Sequence, residues 1–126
     1  MPHLKYYYKE ATKFSTATNI KLEHVFAVKI AKKIARHFKV KMDVEKRPSR
    51  NTGHAWYYDI QLPKQSSLLM ICHEVAHLFE QQKRSNRGHN KKLMSTVKRM
   101  VQYALKMFPK WLDSFVPKES ETPSPV

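Results

Sequence analysis

The sequence predicts a small α+β fold in one domain, with an N-terminal helix, a short two- or three-stranded sheet, a central helix and a following core helix. Three stretches carry apolar residues at spacings of three and four, which is typical of amphipathic helices. Between the first two, a pair of stretches alternates apolar and polar residues, as half-buried strands do. With 126 residues, of which 41% are hydrophobic, the chain can form one modest core.

The first helix is predicted from about Asn19 to Phe38. Apolar residues recur there every four positions, at Leu22, Phe26, Ile30, Ile34 and Phe38. This spacing places them on one face of a helix. Lysine and arginine residues occupy the other face, which is either simply solvated or a surface for an acidic partner.

The two alternating stretches predict two strands. In the first, Val40, Met42 and Val44 alternate with charged residues, and the second runs from His54 to Leu62. Turn-forming residues from 46 to 53, which end in Gly53, separate the two stretches. The strands are therefore expected to pair as a hairpin.

The central helix carries the most specific pattern in the chain, H-E-x-x-H, inside an apolar run from Leu68 to Phe79. Residues four apart lie one turn apart on the same helix face, so His73 and His77 can bind one metal ion. Glu74 lies beside them without being a ligand. Two imidazoles in an apolar core need a partner, and one Zn²⁺ ion is the expected partner.

A third ligand is expected from outside this helix, and His89 is the best candidate. It lies one turn before Leu93 and on the same face, so it would enter the core at the start of the next helix. Two alternatives stay open. His89 could contact only solvent or backbone, and Glu80 is the second candidate ligand.

The last long helix is predicted from the apolar pattern between Leu93 and Phe108. A polar stretch ending in Gly88 predicts the end of the central helix and a chain reversal before it. Pro109 is expected to end the last helix. As an alternative, Trp111, Leu112, Phe115 and Val116 could form one further turn packed on the domain.

This ligand set predicts a zinc-dependent hydrolase. Zinc lowers the pKa of a bound water molecule to about 7, and Glu74 would take the proton as the water attacks a polarised carbonyl. Peptide-bond hydrolysis is the expected reaction. Two other classes stay open: a nucleic-acid-binding protein whose structural zinc has Glu80 or His54 as a fourth ligand, and a metal-free, catalytically inactive adaptor.

Three segments, 53–63, 68–77 and 88–89, together resemble the SprT-like (Spartan-type) zinc metallopeptidase domain. They are similar also to other minimal zincins, such as the minigluzincins and WLM-type peptidases. The resemblance covers roughly residues 22–108. It implies a minimal zincin fold in which His73, His77 and His89 bind one zinc ion and Glu74 is the general base.

The resemblance also implies a protein substrate. In zincins of this type, a strand beside the active helix pairs with an extended peptide, for which an edge strand has unpaired amides. The candidate substrate-binding residues are His54, Ala55, Trp56, Tyr57 and Tyr58. His54, Tyr57 or Tyr58 could also stabilise a developing oxyanion, with simple packing as the alternative for each.

The charge balance predicts a nucleic-acid partner. The chain has 24 lysine and arginine residues against 10 acidic ones, a net charge of +14, and such a field attracts phosphate polymers. SprT-like enzymes act on proteins attached or bound to DNA, so DNA is the expected partner, with acidic proteins as the alternative. The candidate contacts form two groups: Lys46, Arg47 and Arg50, and Lys83, Arg84, Arg87, Lys91 and Lys92.

The chain is expected to divide into an N-terminal arm (1–18), a metallopeptidase domain (19–116) and a disordered tail (117–126). A single cysteine, Cys72, excludes an internal disulfide and favours a reducing compartment. No apolar run reaches the roughly 20 residues that a membrane span needs. We expect an intracellular monomer that is not secreted and makes no membrane contact, in the cytoplasm or, in a eukaryote, the nucleus.

Overall fold

Three helices and five short strands form the part of the chain that the computed structural model describes, residues 21–50 and 53–115. The elements are β1 (Lys21–Glu23), α1 (His24–His37), β2 (Asp43–Val44), β3 (His54–Trp56), β4 (Asp59–Gln61), β5 (Gln65–Ser67), α2 (Leu68–Arg84) and α3 (Lys91–Phe115). The predicted small α+β class is confirmed. The expected N-terminal arm and C-terminal tail, residues 1–18 and 117–126, lie outside the described residues.

The first helix begins later than the sequence predicts. Residues 21–23 form β1, which pairs antiparallel with β5, so that Leu22 lies opposite Ser66. A helix that already includes Leu22 is therefore wrong, and α1 begins at His24. Leu22 fits the helical spacing, but a segment of three residues fits the period of a strand equally well. Its pairing with β5 decides that it is a strand.

The second sheet contains three strands in the order β2-β4-β3. The predicted hairpin between the two alternating stretches is wrong, because β2 runs parallel to β4. The predicted single strand from His54 to Leu62 is also wrong: β3 and β4 pair antiparallel across a turn at Tyr57 and Tyr58. Tyr57 has a φ of 49°, a left-handed conformation that is unusual for a large side chain. Alternating apolar residues identify the faces of a strand but not the point where the chain reverses.

Serine residues define both ends of α2. The hydroxyl of Ser67 accepts a hydrogen bond from the Met70 N–H at 3.1 Å, which caps the first turn. At the other end, Ser85 adopts a φ of 53° and donates its N–H to the carbonyl oxygen of Glu80. The left-handed residue that ends the helix is thus Ser85 and not Gly88, whose φ is not positive.

The last helix, α3, continues through Pro109, where the sequence predicts its end. That prediction is wrong. A proline inside a helix costs about 3 kcal/mol, but Trp111 beyond it is buried, with its ring edge-on to Tyr103 at 5.8 Å. Burying a large apolar side chain recovers about as much. Although α3 spans 25 residues, neither it nor the other helices in the described segments are long and apolar enough to cross a membrane.

Side chains from all three helices and from the sheet form one hydrophobic core. Its largest members include Ile30 and Ile34 of α1, Ile71 of α2, and Leu93 and Met100 of α3. Because α2 packs against both other helices and against β3, β4 and β5, the H-E-x-x-H segment is held from several sides.

Candidate metal centre

Three imidazole rings converge between α2 and the loop that follows it. The Nε2 atom of His77 lies 3.1 Å from Nε2 of His73 and 3.1 Å from Nε2 of His89. One ring nitrogen from each of the three lies within 4.8 Å of the others. His73 and His77 are buried, and His89 is half-buried. The three side chains are therefore close enough to bind one metal ion.

The spacing of these nitrogens fits coordination by a single small cation. Zinc–nitrogen bonds of about 2.1 Å at tetrahedral angles separate two nitrogens by about 3.4 Å, close to the observed 3.1 Å. Neutral imidazoles that turn their Nε2 lone pairs towards one point repel one another. A cation at that point binds the lone pairs and removes this repulsion. His73 and His77 reach this point because they lie one turn apart on α2, and His89 reaches it because Ser85 reverses the chain.

The other ligand candidates, Glu80 and His54, do not join this cluster. Glu80 is fully buried, and its carboxylate accepts hydrogen bonds from Thr96 Oγ1 and Asn86 Nδ2, each at 2.9 Å. His54 lies on β3 and is exposed. Within the described residues, the cluster thus offers three donor atoms from His, Cys, Asp and Glu side chains.

Glu74 is a buried acid beside the cluster. Its side chain is almost inaccessible, and its Oε2 atom has no hydrogen-bond partner among the described residues. Burial raises the pKa of this carboxyl group from 4.5 to about 8, because water no longer stabilises the charged form. A buried polar atom without a partner needs an explanation, and a functional role is a common one.

The position of Glu74 depends on a glycine at residue 53. A Cβ atom added to Gly53 would lie 2.7 Å from Cγ and 2.9 Å from Oε2 of Glu74. Cβ atoms essentially never approach other atoms so closely, so a side chain at residue 53 would force Glu74 or the strand to shift. From sequence, Gly53 is predicted only as the end of a turn, because a glycine before a strand gives no sign of what approaches it.

The strand β3 runs along α2. Gly53, just before β3, lies against Glu74, and Tyr57, just after it, donates its N–H to Gln81 Oε1 at 2.6 Å. The side chain of Gln82 donates to the carbonyl oxygen of Tyr57. In the described sheet β3 pairs with β4 alone, so it is an edge strand. The two glutamines hold the strand to the helix, and no periodic pattern in the sequence indicates this role.

The turn after β3 presents aromatic side chains to solvent. Trp56 and Tyr58 are 56% and 51% exposed, and Tyr57 is half-buried. The guanidinium of Arg87 lies 5.1 Å from the ring centroids of Trp56 and Tyr57, and it donates a hydrogen bond to the Tyr57 hydroxyl. Tyr57 is therefore attached to the loop that carries His89. Of the remaining predicted substrate residues, Ala55 is half-buried and packs on the core.

The basic residues predicted to contact nucleic acid are all exposed: Lys46, Arg47, Arg50, Lys83, Arg84, Arg87, Lys91 and Lys92. The first three lie between β2 and β3, and the others lie at the end of α2, in the following loop and in the first turn of α3. Two of them also bind within the protein. Arg84 Nε lies 3.5 Å from the Glu80 carboxylate, and Arg87 contacts Tyr57.

No family model, curated protein or solved structure matches this chain. The resemblance to SprT-like domains therefore stays an expectation from the sequence segments that carry it.

Gly53→Ala is expected to destabilise the protein by about 1–3 kcal/mol, because the added methyl group overlaps Glu74 and forces a local rearrangement. Urea denaturation measures the change in the free energy of unfolding. Glu74→Ala is the matched background, since it removes the atoms that the methyl group would meet. The same cost in both backgrounds would contradict the contact.

The raised pKa of Glu74 predicts a pH dependence of stability in protein treated with a chelator. Between pH 4.5 and about 8 the folded state retains a proton that the unfolded chain releases, so the free energy of unfolding falls as pH rises. Glu74→Gln removes this pH-dependent contribution to the free energy of unfolding, because an amide does not ionise. We expect the variant to resemble the wild type near pH 4.5 and to be more stable by a few kcal/mol above pH 8.

Urea denaturation of both proteins across this pH range measures the effect. The difference between the two proteins reports the ionisation of residue 74, because they differ in that side chain alone. A stability difference that stays constant with pH would contradict the prediction.

Proposed function

We propose that this protein is a zinc-dependent metallopeptidase with a minimal zincin fold of the SprT-like type. The convergence of the Nε2 atoms of His73, His77 and His89 carries the proposal. A buried carboxyl group, Glu74, follows the first of these ligands on the same helix. Three ligands and one adjacent acid are the components that hydrolysis by an activated water molecule requires.

Zinc suits this donor set. Imidazole nitrogen is a common zinc ligand, and catalytic zinc sites use three protein ligands where structural sites use four. Because neither Glu80 nor His54 adds a donor to the cluster, a catalytic site is favoured over the closed structural site of a nucleic-acid-binding protein. When bound, zinc supplies a Lewis acid that polarises the peptide carbonyl and makes water more acidic.

Glu74 acts as the general base. Its carboxylate accepts a proton from the attacking water molecule and returns it to the nitrogen of the leaving amine. Within the described residues no hydrogen bond occupies Oε2, so the oxygen is available for this transfer. A divalent cation on the adjacent imidazoles favours the ionised carboxylate and offsets the burial that raises its pKa.

The edge strand β3 binds the substrate as an extended peptide through backbone hydrogen bonds. The strand follows α2 from Glu74 towards Gln81, so a peptide paired with it runs along the helix that supplies two ligands. The exposed rings of Trp56 and Tyr58 offer apolar surface to side chains of the substrate. Tyr57 is the best candidate for an oxyanion donor, because its hydroxyl is held by the loop that carries His89.

Proteins bound to DNA are the substrate class that the charge favours. A net charge of +14 is far more than solubility requires, and it attracts DNA at low salt. The eight exposed basic residues of the two groups, at 46–50 and at 83–92, supply the contacts. Several of them flank His89 in the sequence, which would bring DNA and its attached protein close to the metal centre.

Glu74→Gln is expected to retain zinc and to cleave peptides roughly 10²–10⁴-fold more slowly, because it removes the base but no ligand. His89→Ala is the comparison variant and should lose zinc as well as activity. Cleavage of a fluorescence-quenched peptide pool measures the rate, and elemental analysis of protein purified without chelator measures the zinc. Wild-type cleavage by zinc-loaded Glu74→Gln would disprove the role of Glu74.

DNA is expected to accelerate cleavage of a protein substrate that itself binds DNA. The acceleration should be large at low salt and should fall steeply as salt rises, because phosphate contacts release counterions. The measurement compares rates without DNA, with single-stranded DNA and with double-stranded DNA at two salt concentrations. Rates that are indifferent to DNA under all these conditions would remove DNA from the proposal.

A further inference from the structure

We infer that Asn86 is a positioning residue for His89 and that the buried carboxylate of Glu80 anchors it. The inference rests on the metal site proposed above, in which two ligands lie on α2 and the third comes from the loop after it. The affinity for the metal then depends on how firmly that loop holds the third imidazole.

Glu80 is fixed relative to both helices that flank the loop. It belongs to α2 and is fully buried, and its Oε2 atom accepts a hydrogen bond from the hydroxyl of Thr96 on α3 at 2.9 Å. The Nε atom of Arg84 lies 3.5 Å from the same oxygen. A buried carboxylate that loses such partners pays the cost of desolvation, so this group has little freedom to move.

Asn86 transmits this fixed position to the loop. Its Nδ2 donates to Glu80 Oε1 at 2.9 Å and to Asn90 Oδ1 at 3.0 Å. Its Oδ1 accepts from Asn90 Nδ2 at 2.7 Å and from the N–H of Gly88 at 3.3 Å. Gly88 and Asn90 are the residues on either side of His89, so a single side-chain amide contacts both neighbours of the ligand, the backbone of Gly88 and the side chain of Asn90.

The same network leads into α3. The Oδ1 atom of Asn90 accepts a hydrogen bond from the Leu93 N–H at 3.1 Å, which caps the helix. His89 thus lies between an amide anchored in the core and the first turn of a packed helix. Ordering a loop only when the metal binds would cost conformational entropy, and a preformed loop avoids that cost.

The decisive variants are Asn86→Ala and Thr96→Val, which break different hydrogen bonds to the Glu80 carboxylate. Asn86→Ala releases the loop and should weaken metal binding by about 10–100-fold, the usual effect of losing a residue that orients a ligand. Thr96→Val breaks a buried contact between the helices. It should lower the unfolding midpoint of the metal-free protein while the metal affinity stays within about threefold of wild type.

Co²⁺ is the probe, because its visible absorption reports coordination directly and a competing chelator gives its affinity. If Asn86 acts only through overall stability, the Co²⁺ affinity of each variant should follow its unfolding midpoint. Thr96→Val, which breaks a buried contact between helices, should then bind Co²⁺ more weakly than Asn86→Ala does. Co²⁺ affinity of Asn86→Ala within about threefold of wild type would overturn the inference. So would a loss in Thr96→Val as large as that in Asn86→Ala.

Substitutions of Glu80 test the anchor itself. Glu80→Gln keeps an oxygen for Asn86 and an amide for the Thr96 hydroxyl, so it should bind Co²⁺ within about threefold of wild type. Glu80→Leu removes both acceptors and should weaken binding as much as Asn86→Ala does. The double variant of Glu80→Leu and Asn86→Ala should bind Co²⁺ no more weakly than either single variant. A loss of affinity equal to the product of the two single losses would overturn the proposed link.

His89→Ala separates this inference from the proposed function. Equal Co²⁺ affinity of His89→Ala and wild type would overturn the metal site itself and the positioning role with it. A weakened His89→Ala together with a wild-type-like Asn86→Ala would overturn only the positioning role.

Discussion

The approach of His89 to the two histidines of α2 is the contact on which the candidate site depends. Two imidazoles one turn apart on a helix are a common arrangement and need no particular tertiary structure. The third ring places Nε2 of His89 at 3.1 Å from Nε2 of His77, which lies at the same distance from Nε2 of His73. Without shared protons or a cation, three inward-facing lone pairs would repel one another. Everything that holds the loop after α2 therefore helps to bring the three rings together, although most of those groups are not candidate ligands.

Two buried acids on α2 illustrate how similar burial can accompany different roles. Glu80 has hydrogen-bond donors on both carboxylate oxygens, and these join α2 to α3 and to the loop. Glu74 has an oxygen without a partner among the described residues, and Gly53 lies so close to it that an added Cβ atom would force a shift. A satisfied buried carboxylate holds structure in place, whereas an unsatisfied one is expected where a reaction uses it. The difference lies in their neighbours and not in residue type or depth.

The strand beside α2 connects the candidate chemistry to the surface. Gly53 brings the start of β3 to Glu74, and Gln81 and Gln82 hold its end against the helix. The left-handed turn at Tyr57 then directs Trp56 and Tyr58 to solvent. Backbone strain of this kind persists where surrounding contacts over-determine it, and such places are often functional. The same contacts hold β3, which pairs with β4 alone in the described sheet, against the helix that carries the H-E-x-x-H segment.

Sequence alone predicted the apolar faces of the helices and the pair of candidate ligands on α2, because both follow from the period of a single helix. It also indicated His89, which shares a face with Leu93 one turn later. It could not predict the β1–β5 pairing or the reversal at Tyr57, and it left the chain beyond Pro109 undecided, since each is decided by a partner elsewhere in the chain. The same holds for the sites themselves: the glycine against Glu74 and the amide network around His89 arise from contacts that have no local period. Only the tertiary structure brings such residues together, because packing and hydrogen bonding depend on distance in space and periodic patterns depend on distance along the chain.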